Sequence, residues 1–393
     1  MTKTADPITL LQTLIRCPSV TPQEAGVLGA LEDALKPAGF ECTRLPFSAD
    51  NTPDVDNLFA RLGSTGPHLC FAGHVDVVPT GDEALWTYPP FDGQIHDGVL
   101  YGRGACDMKG SVAAFAAAAI DISTEFGGKL PGSVSMLITG DEEGPAINGT
   151  VKMLAWLEEN GQLPDECLVG EPSCSERFGD TIKNGRRGSI TFEVIVKGVQ
   201  GHAAYPHLSL NPIPILARLI DQLSSTVLDS GTDQFEPSTL AVSTFDVGNP
   251  ATNVTPERAR AQFNIRFNTQ HSAESLKVLV QKQCDEVQAE MGGEIEISSI
   301  VGAECFLSNP GPLLSILQKA LLDETGTEAI LSTGGGTSDA RFIKNYCPVI
   351  EFGPINKTIH QVDERIEVKE LEALTRVYKQ VIKQFLSEQS TTA

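Results

Sequence analysis

Glu142 and Glu143 stand side by side where the apolar run Val134-Ser135-Met136-Leu137-Ile138 gives way to Gly140-Asp141-Glu142-Glu143-Gly144. The run reads as a buried strand, and two adjacent glutamates beside a core repel each other and resist desolvation. A divalent cation removes that cost, and two cations would use both residues; a solvated acidic turn is the other reading of the pair alone. His74 and Asp76 lie two apart, so on a strand they share one face. That arrangement suits a metal-ligating His whose tautomer a carboxylate fixes, and equally a half-buried His near a strand end. Asp107 opens an Ala-rich helix, Glu171 follows a short apolar strand and precedes Pro172, and His360 lies in Lys357-Thr358-Ile359-His360-Gln361. Taken singly these are a helix cap, a turn acid and a loop histidine.

The elements that would position them change the reading. Residues 7–16 and 22–39 carry helical apolar spacing, 57–63 and 68–78 read as strands, and a loop rich in Gly, Pro and Asp runs to about 106. An Ala-rich helix over 108–120, the strand before Glu142, a helix at 149–160 and the strand Cys167-Leu168-Val169 follow. Strands alternating with helices imply a layered α/β domain with a mostly parallel sheet. His74, the glutamate pair and Glu171 then fall at or just beyond the carboxyl ends of parallel strands, where open α/β sheets gather their ligand sites. Two His and four carboxylates there, with no cysteine, describe an O/N-rich dinuclear site suited to zinc or a similar cation. A glutamate left over can serve as general base on water.

From about residue 188 the pattern becomes β-α-β-β-α-β: strands at 189–199, 238–247, 258–268 and 294–301, helices at 211–223 and 272–291. This is a ferredoxin-like unit with an antiparallel sheet. Helix 311–325, the strand at 347–353 and a helix at 368–387 resume the first style, and 387–393 reads as a frayed tail. The expected domains are 1–187 with 302–393, interrupted by an insertion at 188–301; 393 residues exceed the usual size of one core.

Hydrophobic residues at 41% and charged residues at 20% are ordinary for a globular protein. A net charge of -22 argues against nucleic acid or an anionic membrane as partner. The first residues, Met1 to Pro7, hold no apolar stretch, and no apolar run reaches the roughly 18 residues of a membrane span. The nine cysteines are scattered singly without a C-x-x-C pair, as reduced core residues of a cytoplasmic protein would be.

Gly73-His74-Val75-Asp76-Val77-Val78-Pro79, Gly102-Arg103-Gly104-Ala105-Cys106-Asp107-Met108-Lys109-Gly110, Gly140-Asp141-Glu142-Glu143-Gly144 and Gly170-Glu171-Pro172 resemble, in order, the motifs of the M20 family of co-catalytic zinc peptidases and deacylases. Ile182 to Ser189, Gly201 to His207, Gly335 to Phe342 and Glu351 to Pro354 extend the resemblance over essentially the whole chain. It implies a zinc-peptidase-like α/β catalytic domain, its mostly parallel mixed sheet flanked by helices, with the inserted α+β domain as lid and dimer interface. It implies hydrolysis of a linear amide with two Zn2+ per subunit, Co2+ able to substitute at one. Asp107 would bridge them, His74 and Glu171 completing one site and Glu143 and His360 the other. Glu142 would be the general base and Asp76 the partner of His74, with a non-proline cis peptide after Asp107. His202 would reach across from the partner subunit of a homodimer to stabilise an oxyanion, with Asn253 on the same closing surface. Cys106 stands where relatives vary, often with a small residue.

In so acidic a chain, Lys183, Arg186, Arg187, Arg266 and Arg341 stand near the motif segments. Arginine forks bind carboxylates at two points, so the expected substrate is a small molecule with several carboxylates. Arg186, Arg266 and Arg341 are preferred over Arg187 as its partners, with Tyr205, Gly336 and Thr337 as further contacts and His207 structural. The arginines could instead pair with surplus acids. Within the family other deacylases and dipeptidases remain open, as does a metal-free relative that only holds a ligand.

Overall fold

The computed structural model describes residues 5–308 and 311–389, and these divide into two compact units. One lies within Met1–Asn184, Ser308–Ser332 and Ser338–Ala393; the other comprises Gly185–Leu307 and Thr333–Thr337. The sequence reading placed the division at 188 and 301. The residues between carry a two-residue pairing, Gly185–Arg186 with Phe306–Leu307, too short to leave a periodic pattern. Thr333–Thr337 joins the second unit because Thr333 Oγ1 donates to Gln234 O at 2.7 Å and Arg186 Nη1 to Gly336 O at 2.9 Å.

The first unit is built on an eight-stranded mixed sheet. Its order is Glu41–Phe47, Val55–Leu62, Ser133–Thr139, His68–His74, Glu166–Val169, Val349–Glu351, Thr181–Lys183, Ile330–Ser332. The central pairings, from Ser133–Thr139 across to Val349–Glu351, are parallel, whereas the flank beginning at Glu41–Phe47 is antiparallel. Every residue of Ser133–Thr139 is buried, which explains a run without polar alternation: a central parallel strand is covered on both faces.

The helices Pro7–Ile15, Val27–Leu35, Lys109–Glu125, Pro312–Thr325 and Val368–Gln389 share one core with the sheet. Lys109–Glu125 lies against both Pro7–Ile15 and Val368–Gln389, and its buried alanines from Ala113 to Ala119 let the backbones approach. Phe71, Phe115 and Tyr378 interlock in the middle, the first two stacked at 4.4 Å, while Tyr378 Oη donates to Phe352 O at 2.7 Å. Among the described residues no helix is long and apolar enough to cross a membrane.

Two expectations need correction. The stretch to 106 is not all loop: Gln94–His96 and Val99–Tyr101 form a hairpin, and Arg365–Glu367 adds a third strand. Three-residue strands are too short to show alternation. The last helix runs to Gln389, beyond the tail expected from Ser387; residues 390–393 lie outside the described residues.

The second unit has the order β-α-β-β-α-β: Gly188–Lys197, Pro212–Ser225, Thr239–Asp246, Arg258–Phe267, Ala273–Met291, Glu294–Ala303. Its sheet runs Thr239–Asp246, Arg258–Phe267, Gly188–Lys197, Glu294–Ala303 with every pairing antiparallel, the ferredoxin-like arrangement. Alternate residues of Arg258–Phe267 are buried against the helices, and Phe192 stacks on Phe263 at 5.2 Å within a separate core.

Glu166 begins a central strand of the first unit with 5% exposure, and its Oε2 accepts the Leu313 N–H at 3.2 Å. Burial pushes its carboxyl up to about 7 against that bond, with the Asp165 charge adding to the rise. The folded chain therefore holds this proton more tightly than the unfolded one, and stability is lost as pH rises through the window between the ordinary glutamate value and about 7. Glu166→Gln is expected to raise Tm at pH 8 by about 2 °C or more, with the gap shrinking by pH 5, in thermal melts followed by circular dichroism.

Candidate metal centre

Three neighbouring parallel strands deliver their carboxyl ends to one edge of the first unit. His74 closes the strand His68–His74, Ser133–Thr139 leads to Glu142 and Glu143, and Glu166–Val169 leads to Glu171. The register sets His74 beside Thr139 and Ala72 beside Val169. Glycines just before two of these residues leave space beneath the edge. A Cβ on Gly73 would stand 2.6 Å from Met108 Cε, and one on Gly170 2.4 Å from Phe71 Cζ.

Asp107 lies at the middle of the cluster. Its Oδ1 is 3.1 Å from His74 Nε2 and its Oδ2 is 3.3 Å from His360 Nε2. His74 Nε2 is also 3.6 Å from Glu171 Oε1, and His360 Nε2 is 2.8 Å from Glu143 Oε1. Ligand atoms of His74, Asp107 and Glu171 therefore form one group, and those of Asp107, Glu143 and His360 a second, each within 4.8 Å; His74, Glu142 and Glu143 form a third. The Asp107–Met108 peptide is cis. The helix-cap reading of Asp107 does not hold, since Met108 occupies the cap position of Lys109–Glu125 and Asp107 points to the histidines.

Asp76 serves differently from the expectation drawn from spacing. The His74 Nδ1–H donates to the backbone carbonyl of Asp76 at 2.9 Å, while the Asp76 carboxylate stands 3.7 Å away. That carboxylate instead accepts the backbone N–H groups of Glu142 and Glu143, at 3.3 and 3.0 Å. One residue thus frees His74 Nε2 for a ligand and aims the glutamate turn. Two-residue spacing shows which face a side chain takes, not which atom makes the bond.

Charge in the cluster is out of balance. Burial opposes a proton on His74, but the hydrogen bond and charge of Asp107, with Glu171 and Asp76, hold its pKa well above the ordinary value. Hydrogen bonds donated to Asp107 and Glu143 push His360 up to about 10. Asp107 is held far below the carboxylate range by both histidines, against its burial. Glu142 rises to about 8 through burial and the charges of Asp339, Glu143 and Asp107, with His74 opposing. Glu171 is raised by burial, Asp107 and Glu142, and Asp76 by burial to about 6. These shifts record an excess of acidic groups at the cluster. Two imidazoles and several carboxylates without a thiolate suit zinc or a comparable divalent ion, and such ions would relieve this crowding. The donor set fits two cations sharing Asp107.

A family model described as Peptidase family M20/M25/M40 matches residues 70–384. The chain belongs to this family. A protein of Rhodopseudomonas palustris named "Succinyl-diaminopimelate desuccinylase" is 52% identical over 389 residues, 97% of this chain and 98% of its own length. One of Rhodospirillum centenum with the same name is 52% identical over 382 residues, again 97% and 98%. Among solved structures, aminopeptidase PepT from Bacillus cereus superposes with TM-score 0.78 at 20% identity, covering 98% of this chain and 100% of its own. A Bacillus subtilis protein described as a dinuclear metal binding peptidase from the M20 family gives 0.73 at 16%, covering 97% of each chain. Both share the M20 fold.

The remaining expected site residues of this M20 chain do not all stand in the unit that carries this cluster. Arg341 does, its guanidinium 4.5 Å from the Phe342 ring centroid. His202, Tyr205, Asn253, Arg186, Arg266, Gly336 and Thr337 belong to the second unit. There His202 Nδ1 accepts the Ala204 N–H at 3.0 Å, which puts the ring proton on Nε2, and Tyr205 packs 5.5 Å from that ring. The Asn253 carbonyl accepts from Ala203 N at 2.9 Å, tying the two loops. Glu364 was missed in the sequence. It is wholly buried and accepts the backbone N–H groups of Cys106 and Asp107, yet within Asp363-Glu364-Arg365 it looks like surface charge.

The raised pKa values of both histidines imply that the cation-free centre carries protons at pH 7 that ligated imidazoles cannot keep. Loading two divalent cations at pH 7 is expected to release at least two protons per chain, read from calorimetric titrations in buffers of different ionisation enthalpy.

Proposed function

We propose that the chain is a succinyl-diaminopimelate desuccinylase, an amide hydrolase that splits N-succinyl-L,L-2,6-diaminopimelate into succinate and L,L-diaminopimelate. One observation carries the substrate: relatives 50–52% identical over 97–98% of this chain bear that single name. The chemistry agrees. The substrate carries three carboxylates, and Arg186, Arg266 and Arg341 supply fork-shaped partners for them. Burial and the neighbouring charge of Arg187 lower the pKa of Arg266, so an anion there relieves both.

Asp107 would be shared between two Zn2+ ions, with His74 and Glu171 on one and Glu143 and His360 on the other, Co2+ being an acceptable substitute at one position. When bound, such ions polarise an amide carbonyl and make water acidic enough to react near neutral pH. Glu142 takes the proton of the attacking water on its carboxylate and returns it to the leaving amine nitrogen. A group that moves a proton both ways works best with a pKa near the working pH. Asp76 orients Glu142 through its backbone N–H. His202, with its proton on Nε2, donates to the oxyanion of the tetrahedral intermediate; in the homodimer formed through the second unit, as lid and interface, it is supplied by the partner subunit. Asn253 and Tyr205 line the same closing surface, and Gly336 and Thr337 offer further substrate contacts. The enzyme is cytoplasmic, with a small-molecule substrate and neither nucleic acid nor membrane as partner.

Rates on N-succinyl-diaminopimelate and N-acetylornithine, with added zinc, test the substrate directly. The succinyl compound is expected to be preferred, and a preference for acetylornithine would overturn the assignment. Glu142→Gln is expected to keep two cations bound while kcat falls by about 10²–10⁴; full turnover in that variant would sink the base assignment.

A further inference from the structure

The segments that carry Asp107 and His360 are hydrogen-bonded to a buried ion pair to which neither residue belongs. Arg103 is 2% exposed and Glu364 not at all, and Arg103 Nη1 donates to Glu364 Oε2 at 2.7 Å. We propose that this pair is a positioning device for the cation held by Asp107, Glu143 and His360. The inference rests on the two-cation reading above.

The bonds divide between two segments. Glu364 Oε1 accepts both the Cys106 and the Asp107 backbone N–H at 3.0 Å, so it grips the chain at the shared ligand. Arg103 Nη1 also donates to Gln361 O at 3.2 Å, the residue after His360, and Nη2 to Pro79 O at 3.3 Å. Gly102 N donates to Glu364 O at 2.9 Å, and Arg365 pairs with Tyr101 in the three-stranded sheet, so both segments start from one register. The Trp86 ring covers the guanidinium, its centroid 5.2 Å from Cζ. Three donors converge on the Glu364 carboxylate. An amide in its place would turn an N–H2 toward at least one of them.

His360 needs such support more than His74 does. His74 ends a buried central strand and is held at Nδ1 by the Asp76 carbonyl. The His360 side chain is 47% exposed on a loop where His360 and Asp363 have φ of 59° and 57°. Non-glycine residues adopt that conformation when their surroundings impose it. Asp363 is tied to Thr87 N and Oγ1 at 2.7 Å, and Gln361 to Arg103. Releasing the Arg103 tie loosens His360 while the strand end bearing His74 stays in place.

Purified wild type, Glu364→Gln and Arg103→Lys chains would be equilibrated against buffered free Co2+, with bound cobalt counted and kcat measured on the same samples. Lysine keeps a charge beside Glu364 but loses the fork that reaches Gln361 and Pro79, and it serves if the glutamine variant fails to fold. In each variant one of the two cobalt equivalents is expected to lose about 10–100-fold in affinity, at least tenfold more than the other. Activity lost at limiting cobalt should return to within about threefold of wild type once both sites are filled. Unchanged affinities, parallel weakening of both equivalents, or a kcat loss that persists with two cobalt ions bound would each overturn the proposal. A wild type that takes up fewer than two cobalt ions would instead overturn the two-cation reading itself.

Discussion

One carboxylate faces two imidazoles. Asp107 turns Oδ1 to His74 and Oδ2 to His360, and the remaining site residues of the first unit are disposed around that contact. Glu171 stands on the His74 side and Glu143 on the His360 side, so each half of the cluster has one histidine and one glutamate besides the shared acid. Such crowding of acids at the edge of a core is unfavourable on its own, and the raised pKa values of Glu142 and Glu171 express that cost. The arrangement makes sense as a receptacle for positive charge. The parallel sheet makes it attainable, because three adjacent strands end together and their following turns meet.

The surrounding structure holds this charge in place chiefly with backbone N–H groups. Asp76 takes two from the Glu142–Glu143 turn, Glu364 takes two from Cys106 and Asp107, and Asp141 Oδ2 takes those of Ile147 and Asn148 at 2.8 Å. Each buried acid thereby orients the loop that bears a ligand. A carboxylate so used is worth more than a neutral acceptor, since charge-assisted bonds are shorter and stronger. It also adds to the negative potential that a bound cation would experience. Structural support and electrostatic character come from the same groups.

Much of this could be read in the chain before folding. His74, Glu142, Glu143 and Glu171 sit just past apolar runs, and a strand's end is legible from where its burial pattern stops. The ferredoxin-like order of the second unit follows from alternation along strands such as Arg258–Phe267. The hairpin at Gln94–Tyr101 was not legible, because three-residue strands carry no period and glycine and aspartate at its turn read as loop. Arg103 and Glu364 escaped for a different reason. They lie far apart in sequence, Arg103 between two glycines and Glu364 between charged residues, and only the pairing of Val99–Tyr101 with Arg365–Glu367 brings them together. Burial of a charge depends on its partner, and a partner that distant leaves no local mark. The same holds for Asp76, whose backbone and side chain do separate tasks that spacing cannot distinguish.

A net charge of -22 would be expected to repel a substrate bearing several carboxylates. Screening limits that repulsion, since at physiological ionic strength the Debye length is about 8 Å and distant surface charge is largely lost. What remains is set by the groups close to the substrate. Arg186 is buried with Nη1 fixed on the Gly336 carbonyl, and Arg266 is half-buried beside a second guanidinium. A guanidinium held in place gives up less side-chain freedom when it receives a carboxylate, and one crowded by a like charge gains more from doing so. If Arg186 and Arg266 receive substrate carboxylates, as proposed above, selection among acylated amino acids rests on a few fixed groups rather than on the bulk charge.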